Sequence, residues 1–361
     1  MKKGRKRFFI FVGGGIGDVL MTTPMFRAIR EHYPDAYIGA SVMGSPHITI
    51  LKNNKNVDDV INLGAPEYQG MKGTWRLIRY LRRKRITHSI MNHVAEKKRF
   101  FAAAFFAGIR TRLGQDRTSA ARERTYKYYV KTLTHSLPYT LDEKLSTQRN
   151  LEILRFLGIN NSDITYDLAI PKSDIVSKPG KTCVGIHPGC DGRAELKRWE
   201  IEKFIGVAER IRDEFDYEVK FYIGPAEADL VPMIKGKFTM FEGMPLADVI
   251  TDISYCDYFI SNDSGLAHIS GGFGIPTIMI FGPTLHNEYK LPAAITVENK
   301  TLECRPCFHL RRPCPIDKLC LRSVTVNDVF TVFTQVVRDQ AKVSDGTVKS
   351  RNVFQTTEKG N

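Results

Sequence analysis

The chain has 361 residues, 42% of them hydrophobic and 25% charged, with a net charge of +14. Such totals suit a soluble globular protein of about two domains, and no apolar run approaches the roughly 20 residues that a membrane span needs. The excess charge sits at one end: residues 1–150 hold 28 Lys+Arg against 11 Asp+Glu, and the remainder holds 25 against 28. A basic face points to an anionic partner (nucleic acid, an anionic membrane surface or an acidic substrate) or is simply a solvated surface.

The chain opens on a basic tip and a short apolar run that stops at glycines and an acid. It offers no small-residue cleavage site, so a secretory signal is not expected and the protein is expected to be cytoplasmic. Residues 7–12 read as a buried strand, followed by Gly13-Gly14-Gly15-Ile16-Gly17-Asp18. A helix is expected over 18–33, bent or tightened early by Pro24, and a second strand over 36–42. The turn fails as a dinucleotide fingerprint. Asp18 stands where the third glycine belongs, and no acid closes the second strand to hold a ribose. Asp18 is therefore either a first-turn acid favoured by the helix dipole or a general base.

Strands follow over 58–63 and 87–93, and helices over 72–84 and 97–107. The first of these helices carries Arg76, Arg79, Arg82 and Arg83, and the second opens on Lys97, Lys98 and Arg99. Arg110 and Arg112 alternate in the segment 108–114. A basic loop or irregular helix covers 118–131, a helix 145–157 and a polar linker 158–180. Alternating strands and helices imply a parallel sheet wrapped by helices.

A second α/β series begins with a strand over 182–187, ending in Pro188-Gly189, and a polar loop that leads to Lys197-Arg198-Trp199. Trp199 reads as packing rather than stacking. A helix over 200–215, a strand over 218–223 ending before Glu227, and helices over 227–235 and 246–255 come next, with Met244 just ahead of the last. Residues 258–261 form a strand that runs into Asn262-Asp263-Ser264-Gly265, then a helix over 265–273 and a strand over 276–281. Free N–H groups at the start of that helix, capped by Ser264 or Asp263 with His268 one turn further on, suit a phosphate or diphosphate; an ordinary capped helix with a packed histidine fits the same spacing. Cys304, Cys307, Cys314 and Cys320 fall within one short loop, where reduced thiols, a Zn or Fe ion, and disulfides are all open. A helix over 325–340 ends the series, and the polar residues 341–361 are expected to be disordered.

In the second half, Lys197, Glu227, Met244 and Asp263-Ser264-Gly265 with His268 all fall at the carboxyl ends of predicted strands, where open parallel sheets bind ligands. Lysine and helix N–H groups suit a diphosphate, Glu227 a ribose and Met244 the face of a base. That combination favours group transfer over hydride transfer. No Walker P-loop is present, which disfavours ATP hydrolysis.

FVGGGIGDVLMTTPMFRAIREHYPDAYI resembles the opening of the ADP-heptose:lipopolysaccharide heptosyltransferases, glycosyltransferase family 9. GIHPG followed by LKRW, then YIGPAEAD, MPLADV, SNDSGLAHISGGFGIPTIMIFGPT and CRPCF…CP…CLRSVTVNDV resemble the family's later motifs, so that the likeness spans roughly residues 8–330. It implies an α/β GT-B fold, two Rossmann-like doubly wound domains facing each other across a cleft. Residues 1–170 would bind the acceptor and 171–340 the nucleotide sugar. The implied reaction is an inverting transfer of heptose from ADP-heptose to a lipopolysaccharide inner-core acceptor, with no metal or other cofactor required for catalysis. Asp18 matches the family's base, Lys197 the lysine on the donor phosphates, Glu227 the ribose acid and Met244 the residue near adenine. Asp263, Ser264, Gly265 and His268 match the nucleotide-diphosphate loop, with Ser264 where many relatives have threonine. The loop 190–196 departs from the family pattern, and its phosphate contacts are not assigned. Gly17, Lys97, Arg99, Arg110 and Arg112 become candidate contacts to an anionic glycolipid, and peripheral contact with the inner face of the inner membrane is expected. Some relatives modify proteins and use cysteine-bound iron, so an autotransporter-type heptosyltransferase with a metal at Cys304, Cys307, Cys314 and Cys320 is the alternative. A non-catalytic anionic-polymer binder and a nicotinamide oxidoreductase are the remaining readings. No nucleic-acid motif is present, and no nucleic-acid partner is expected.

Overall fold

RFFIF at Arg7–Phe11 is apolar at four consecutive positions, and Phe8, Phe9, Ile10 and Phe11 are all fully buried. A strand covered on both faces needs such a run, because each side of the sheet must meet a helix. The computed structural model describes residues 5–95, 97–118, 125–140, 144–168, 180–190, 195–291, 293–305, 307 and 314–344. They divide into two compact units, Met1–Ile170 and Pro171–Asn361.

The first unit holds six strands, β1 (Arg7–Phe11), β2 (Tyr37–Val42), β3 (Asp59–Asn62), β4 (His88–Met91), β5 (Thr111–Asp116) and β6 (His135–Pro138), in the order β3-β2-β1-β4-β5-β6. The second holds β7 (Cys183–His187), β8 (Glu218–Ile223), β9 (Thr239–Glu242), β10 (Tyr258–Asn262), β11 (Thr277–Phe281) and β12 (Ile295–Glu298), in the order β12-β11-β10-β7-β8-β9. Every pairing in both sheets is parallel. Counted from its own first strand, each sheet has the doubly wound Rossmann order, and the winding reverses between β1 and β4 in one and between β7 and β10 in the other. The α/β class and the two Rossmann-like units of the GT-B plan are therefore present. Among the described residues, no helix is long and apolar enough to cross a membrane.

The helix expected over 18–33 is two helices, Ile16–Leu20 and Thr23–His32, parted at Met21-Thr22. Pro24 stands in the first turn of the second helix, where its missing N–H costs no bond. The stretch expected to be a linker begins as part of the first unit. Ile159 and Tyr166 are buried, and Arg27 ties this segment down through Asp163, 3.1 Å away, and Asp167. The final helix, Val326–Ser344, runs past the point where disorder was expected to begin, and the rest of that tail lies outside the described residues. It packs on the Ile201–Phe215 helix, with Phe330 and Phe333 against Phe215. Phe333 is fully buried, and truncating such a ring costs about 3–5 kcal/mol.

Candidate active site

At the carboxyl end of β1 the chain makes a turn that only glycine permits. Gly14 has φ +81°, and a Cβ there would lie 1.9 Å from Oδ2 of Asp18. The N–H of Gly15 donates to that same oxygen at 2.7 Å, and the Thr22 hydroxyl donates to the Asp18 carbonyl at 2.7 Å. Asn92, just beyond β4, accepts from the Gly13 N–H at 3.0 Å, so the turn is pinned across the reversal point of the sheet. Gly17 lies in the short helix beside Asp18, and its carbonyl accepts from Met21. Tyr166 is buried close enough to feel the carboxylate: burial first, and then the charge of Asp18, hold its phenol well above the usual range. Nothing in the local sequence marked Tyr166 as a neighbour of Asp18.

A second group stands at the carboxyl ends of β4 and β5. His93 Nδ1 lies 2.5 Å from Gln115 Oε1, and Arg117 Nη1 lies 2.7 Å from His93 Nε2. A guanidinium only donates, so Nε2 is the acceptor and Nδ1 carries the proton. Arg117 and Arg149 both lie over the Tyr139 ring, with guanidinium carbons 4.3 and 4.7 Å from its centroid. None of these residues was singled out in the sequence. A histidine and two arginines from three separate segments meet only through the sheet order.

Of the candidate acceptor contacts, Arg110 and Arg112 lie at the amino end of β5, at the opposite end of the sheet from Asp18. The Arg112 guanidinium donates to the Thr132 carbonyl at 2.5 Å and also to Ile109, which makes it a strut for the loop before β6. Arg99 donates to the carbonyls of Leu63 at 2.8 Å and Tyr68 at 3.1 Å and clamps the segment after β3. Lys97 is exposed at the cap of the Lys98–Phe106 helix.

In the second unit the candidate residues all stand at the carboxyl edge of the sheet. Lys197, at the end of a single 3-10 turn, puts its Nζ 2.5 Å from Asp263 Oδ2, and the Thr284 hydroxyl donates to the same oxygen at 2.9 Å. Ser264 caps the Gly265–Gly272 helix by accepting from the Ala267 N–H at 3.3 Å. Ser261 holds the Ser264 hydroxyl at 2.8 Å. His268 is buried in the same helix. Burial pushes its pKa down to about 4, opposed by the charge of Asp263 and reinforced by that of Lys197, so the ring is neutral at pH 7. Asn262 joins the two loops at the reversal point: its Nδ2 donates to the Pro188 carbonyl at 2.7 Å, and its Oδ1 accepts from the Trp199 N–H at 3.0 Å. Sequence reasoning passed over Asn262, which stands next to the residues it did select. Trp199 packs as expected, 1% exposed, with its indole N–H donating to Val324 at 3.0 Å.

Glu227 sits beyond β8, next in the sheet to β7. It is 3% exposed, accepts from the Gly224 N–H at 3.1 Å and faces Arg198 at 3.4 Å. A Cβ on Gly189 would lie 2.4 Å from the Glu227 carboxyl carbon, so the turn after β7 rests directly on that acid. Both carboxylate oxygens keep further acceptor sites. Met244 is 45% exposed just beyond β9, following Gly243 in the left-handed region at φ +62°. The edge thus offers a cation and helix N–H groups over β10, an acid over β8 and an exposed apolar side chain past β9.

Cys304, Cys307, Cys314 and Cys320 line one pocket together with Leu196 and Pro283. None of the seven cysteines is in a disulfide. Among the described residues, no three His, Cys, Asp or Glu side chains are arranged to hold a metal ion. The four cysteines thus line one thiol pocket, and the candidate Zn or Fe ligand set is not assembled among the described residues.

The family model of "Glycosyltransferase family 9 (heptosyltransferase)" matches residues 74–319, which takes in the whole Lys197–Asp263 edge. Lipooligosaccharide heptosyltransferase 2 of Campylobacter jejuni is 24% identical over 329 residues, covering 86% of this chain and 91% of its own. A solved glycosyl transferase family 9 protein from Veillonella parvula superposes with a TM-score of 0.74 at 18% identity, covering 92% of this chain and 97% of its own. E. coli heptosyltransferase WaaC, solved with ADP-2-deoxy-2-fluoro heptose, superposes with a TM-score of 0.69 at 17% identity, covering 91% and 99%. The chain belongs to glycosyltransferase family 9, the heptosyltransferase family, and is a glycosyltransferase.

Proposed function

We propose that this glycosyltransferase moves a heptose from ADP-heptose to an anionic inner-core acceptor of lipopolysaccharide or lipooligosaccharide, with inversion at the anomeric carbon. The observation that carries the reading is the Lys197–Asp263 pair set at the capped start of the Gly265–Gly272 helix, on the ligand-binding edge of the sheet. Lys197 and the helix N–H groups supply positive charge where a diphosphate leaves. Glu227 takes the ribose hydroxyls and Met244 lies on the face of the adenine. The WaaC relative was solved with an ADP-heptose analogue, and the Campylobacter relative is named for lipooligosaccharide, which supports this donor and this acceptor.

In the proposed step Asp18 removes the proton of the acceptor hydroxyl as its oxygen attacks the anomeric carbon. The new C–O bond forms as the bond to ADP breaks. The electron pair leaves with the diphosphate, and Lys197 and the helix N–H groups stabilise its charge. The hydrogen bond from Gly15 orients the carboxylate, so that little reorganisation is needed at the moment of transfer. A lipid-linked acceptor places this work at the inner face of the inner membrane. The test is a transfer assay with ADP-heptose and a lipooligosaccharide truncated before its heptoses. The reading expects a mass gain of one heptose, ADP released in equal amount and a product anomer opposite to the donor's. Retained configuration would sink the mechanism, and no transfer with this acceptor would sink the assignment of substrate.

A further inference from the structure

The Gly70–Arg83 helix reads GMKGTWRLIRYLRR, with five Lys or Arg and no acid. Its inner face is ordinary: Gly73, Leu77, Ile78, Tyr80 and Leu81 are buried against the sheet. Its outer face is not. Met71 is 83% exposed and Trp75 61% exposed, in line with Arg79 at helical spacing of four, and Lys72, Arg76, Arg82 and Arg83 are exposed beside them. At the far end Arg82 donates to the Phe106 carbonyl at 2.7 Å, and there Phe105 and Phe106 are 49% and 58% exposed. Apolar tips thus flank a row of cations on one surface. A single exposed leucine means little, but a tryptophan, a methionine and two phenylalanines around one basic helix form a patch.

We propose that the Gly70–Arg83 helix is a docking surface for an anionic lipid bilayer, with Trp75 and Met71 entering the interface and Lys72, Arg76 and Arg79 meeting the headgroups. Interfacial helices combine these same features, cations on a polar face and aromatic or apolar side chains that sink to the acyl boundary. A soluble polyanion would use the cations but has no use for Met71, Phe105 and Phe106, whereas a bilayer uses both sets. The surface is also held firmly. Gly73 packs so closely that a Cβ would lie 2.0 Å from the Tyr68 carbonyl carbon, and Arg99 fastens Tyr68 and Leu63. The helix starts just after β3, at the sheet edge that carries Asp18, so the Trp75 end faces the level of the chemistry rather than the opposite end of the unit. This deepens the reading of a lipid-linked acceptor and rests on it for its setting, but its test uses no acceptor.

The chain has two tryptophans, and Trp199 is 1% exposed, so a change of emission on adding vesicles reports Trp75. Full-length protein would be mixed with phosphatidylcholine vesicles and with vesicles containing 30% phosphatidylglycerol, both free of glycolipid. A blue shift and co-sedimentation with the anionic vesicles alone are expected. Arg76→Gln with Arg79→Gln should lower the partition about 25-fold, from about fivefold for each cation near the surface. Met71→Ser with Trp75→Ser should lower it too, with ADP binding intact as the control for folding. An unmoved emission, equal binding to neutral vesicles, or a partition unchanged in the double arginine variant would overturn the proposal. So would a shift produced by heparin and not by vesicles. Vesicle binding without heptose transfer would leave the surface standing and remove the proposed function; transfer without vesicle binding would do the reverse.

Discussion

Lys197 Nζ and Asp263 Oδ2 lie 2.5 Å apart with side chains only 16% and 8% exposed, a largely buried ion pair at the start of a helix. In the proposed reaction Lys197 also faces the donor diphosphate, so a single substitution removes two interactions. Lys197→Ala leaves the Asp263 carboxylate without its cation, which costs about 3 kcal/mol of stability by the usual penalty for a broken buried pair. The double variant Lys197→Ala, Asp263→Asn removes the stranded charge. Thermal unfolding should recover in the double variant while ADP affinity stays low in both. Recovery of ADP binding along with stability would reduce Lys197 to a structural role.

Asp18→Asn keeps the shape of the side chain and an oxygen for the Gly15 N–H, but cannot take a proton. The expected result is a kcat lower by about 10²–10⁴, the range of general-base contributions, with ADP binding unchanged because the proposed nucleotide site is built from residues of the other unit. Single-turnover rates beside ADP titration separate the two. An unaltered kcat would remove Asp18 from the mechanism.

Gly14→Ala should mimic the loss of Asp18 without touching it. The φ of +81° strains an alanine, and the new Cβ meets the Asp18 carboxylate at 1.9 Å. The carboxylate must move, so kcat should fall at least tenfold while the fold persists by circular dichroism. Gly15→Ala, where a Cβ meets nothing within 4 Å, is the matched control and should change kcat little.

His268 gives stability a pH dependence whose sign follows from its burial. The unfolded ring takes a proton near pH 6.5, and the folded ring resists it down to about 4. Stability is therefore complete above about pH 6.5 and falls as the pH drops toward 4, by up to about 3 kcal/mol for this one group. His88 has the same direction, lowered to about 4 by burial and then by the charge of Lys6, and His187 is lowered by burial as well. Melting temperatures taken from pH 7.5 to 4.5 should fall steadily, and less steeply in His268→Gln. A flat profile would contradict the buried neutral histidines.

The central strands were legible because a strand buried on both faces needs an unbroken apolar run, as in RFFIF and TIMIF. The strands β6, β9 and β12 have four residues each and lie at or near sheet edges. HSLP and TMFE are largely exposed and carry no alternation, so only pairing with a formed neighbour makes them strands. The Ser45–Leu51 helix went unread for a related reason. Its SPHITIL is rich in β-branched residues, and packing rather than propensity makes it helical. The second unit's candidate residues were legible because they follow strand ends in a Rossmann order. The position of Arg110 and Arg112 at the amino end of β5, away from Asp18, was not legible, because a charge cluster says nothing about which end of a strand it occupies. His93, Arg117 and Tyr139 escaped because three sequence-distant segments supply them.

The most direct test of an ADP-sugar donor site at Lys197 is a calorimetric titration of the intact protein with ADP, GDP, UDP and NAD, repeated on Lys197→Ala. Saturable binding of ADP alone is expected, weakened at least tenfold in the variant. Preference for UDP or GDP, or no nucleotide binding by the folded protein, would contradict it.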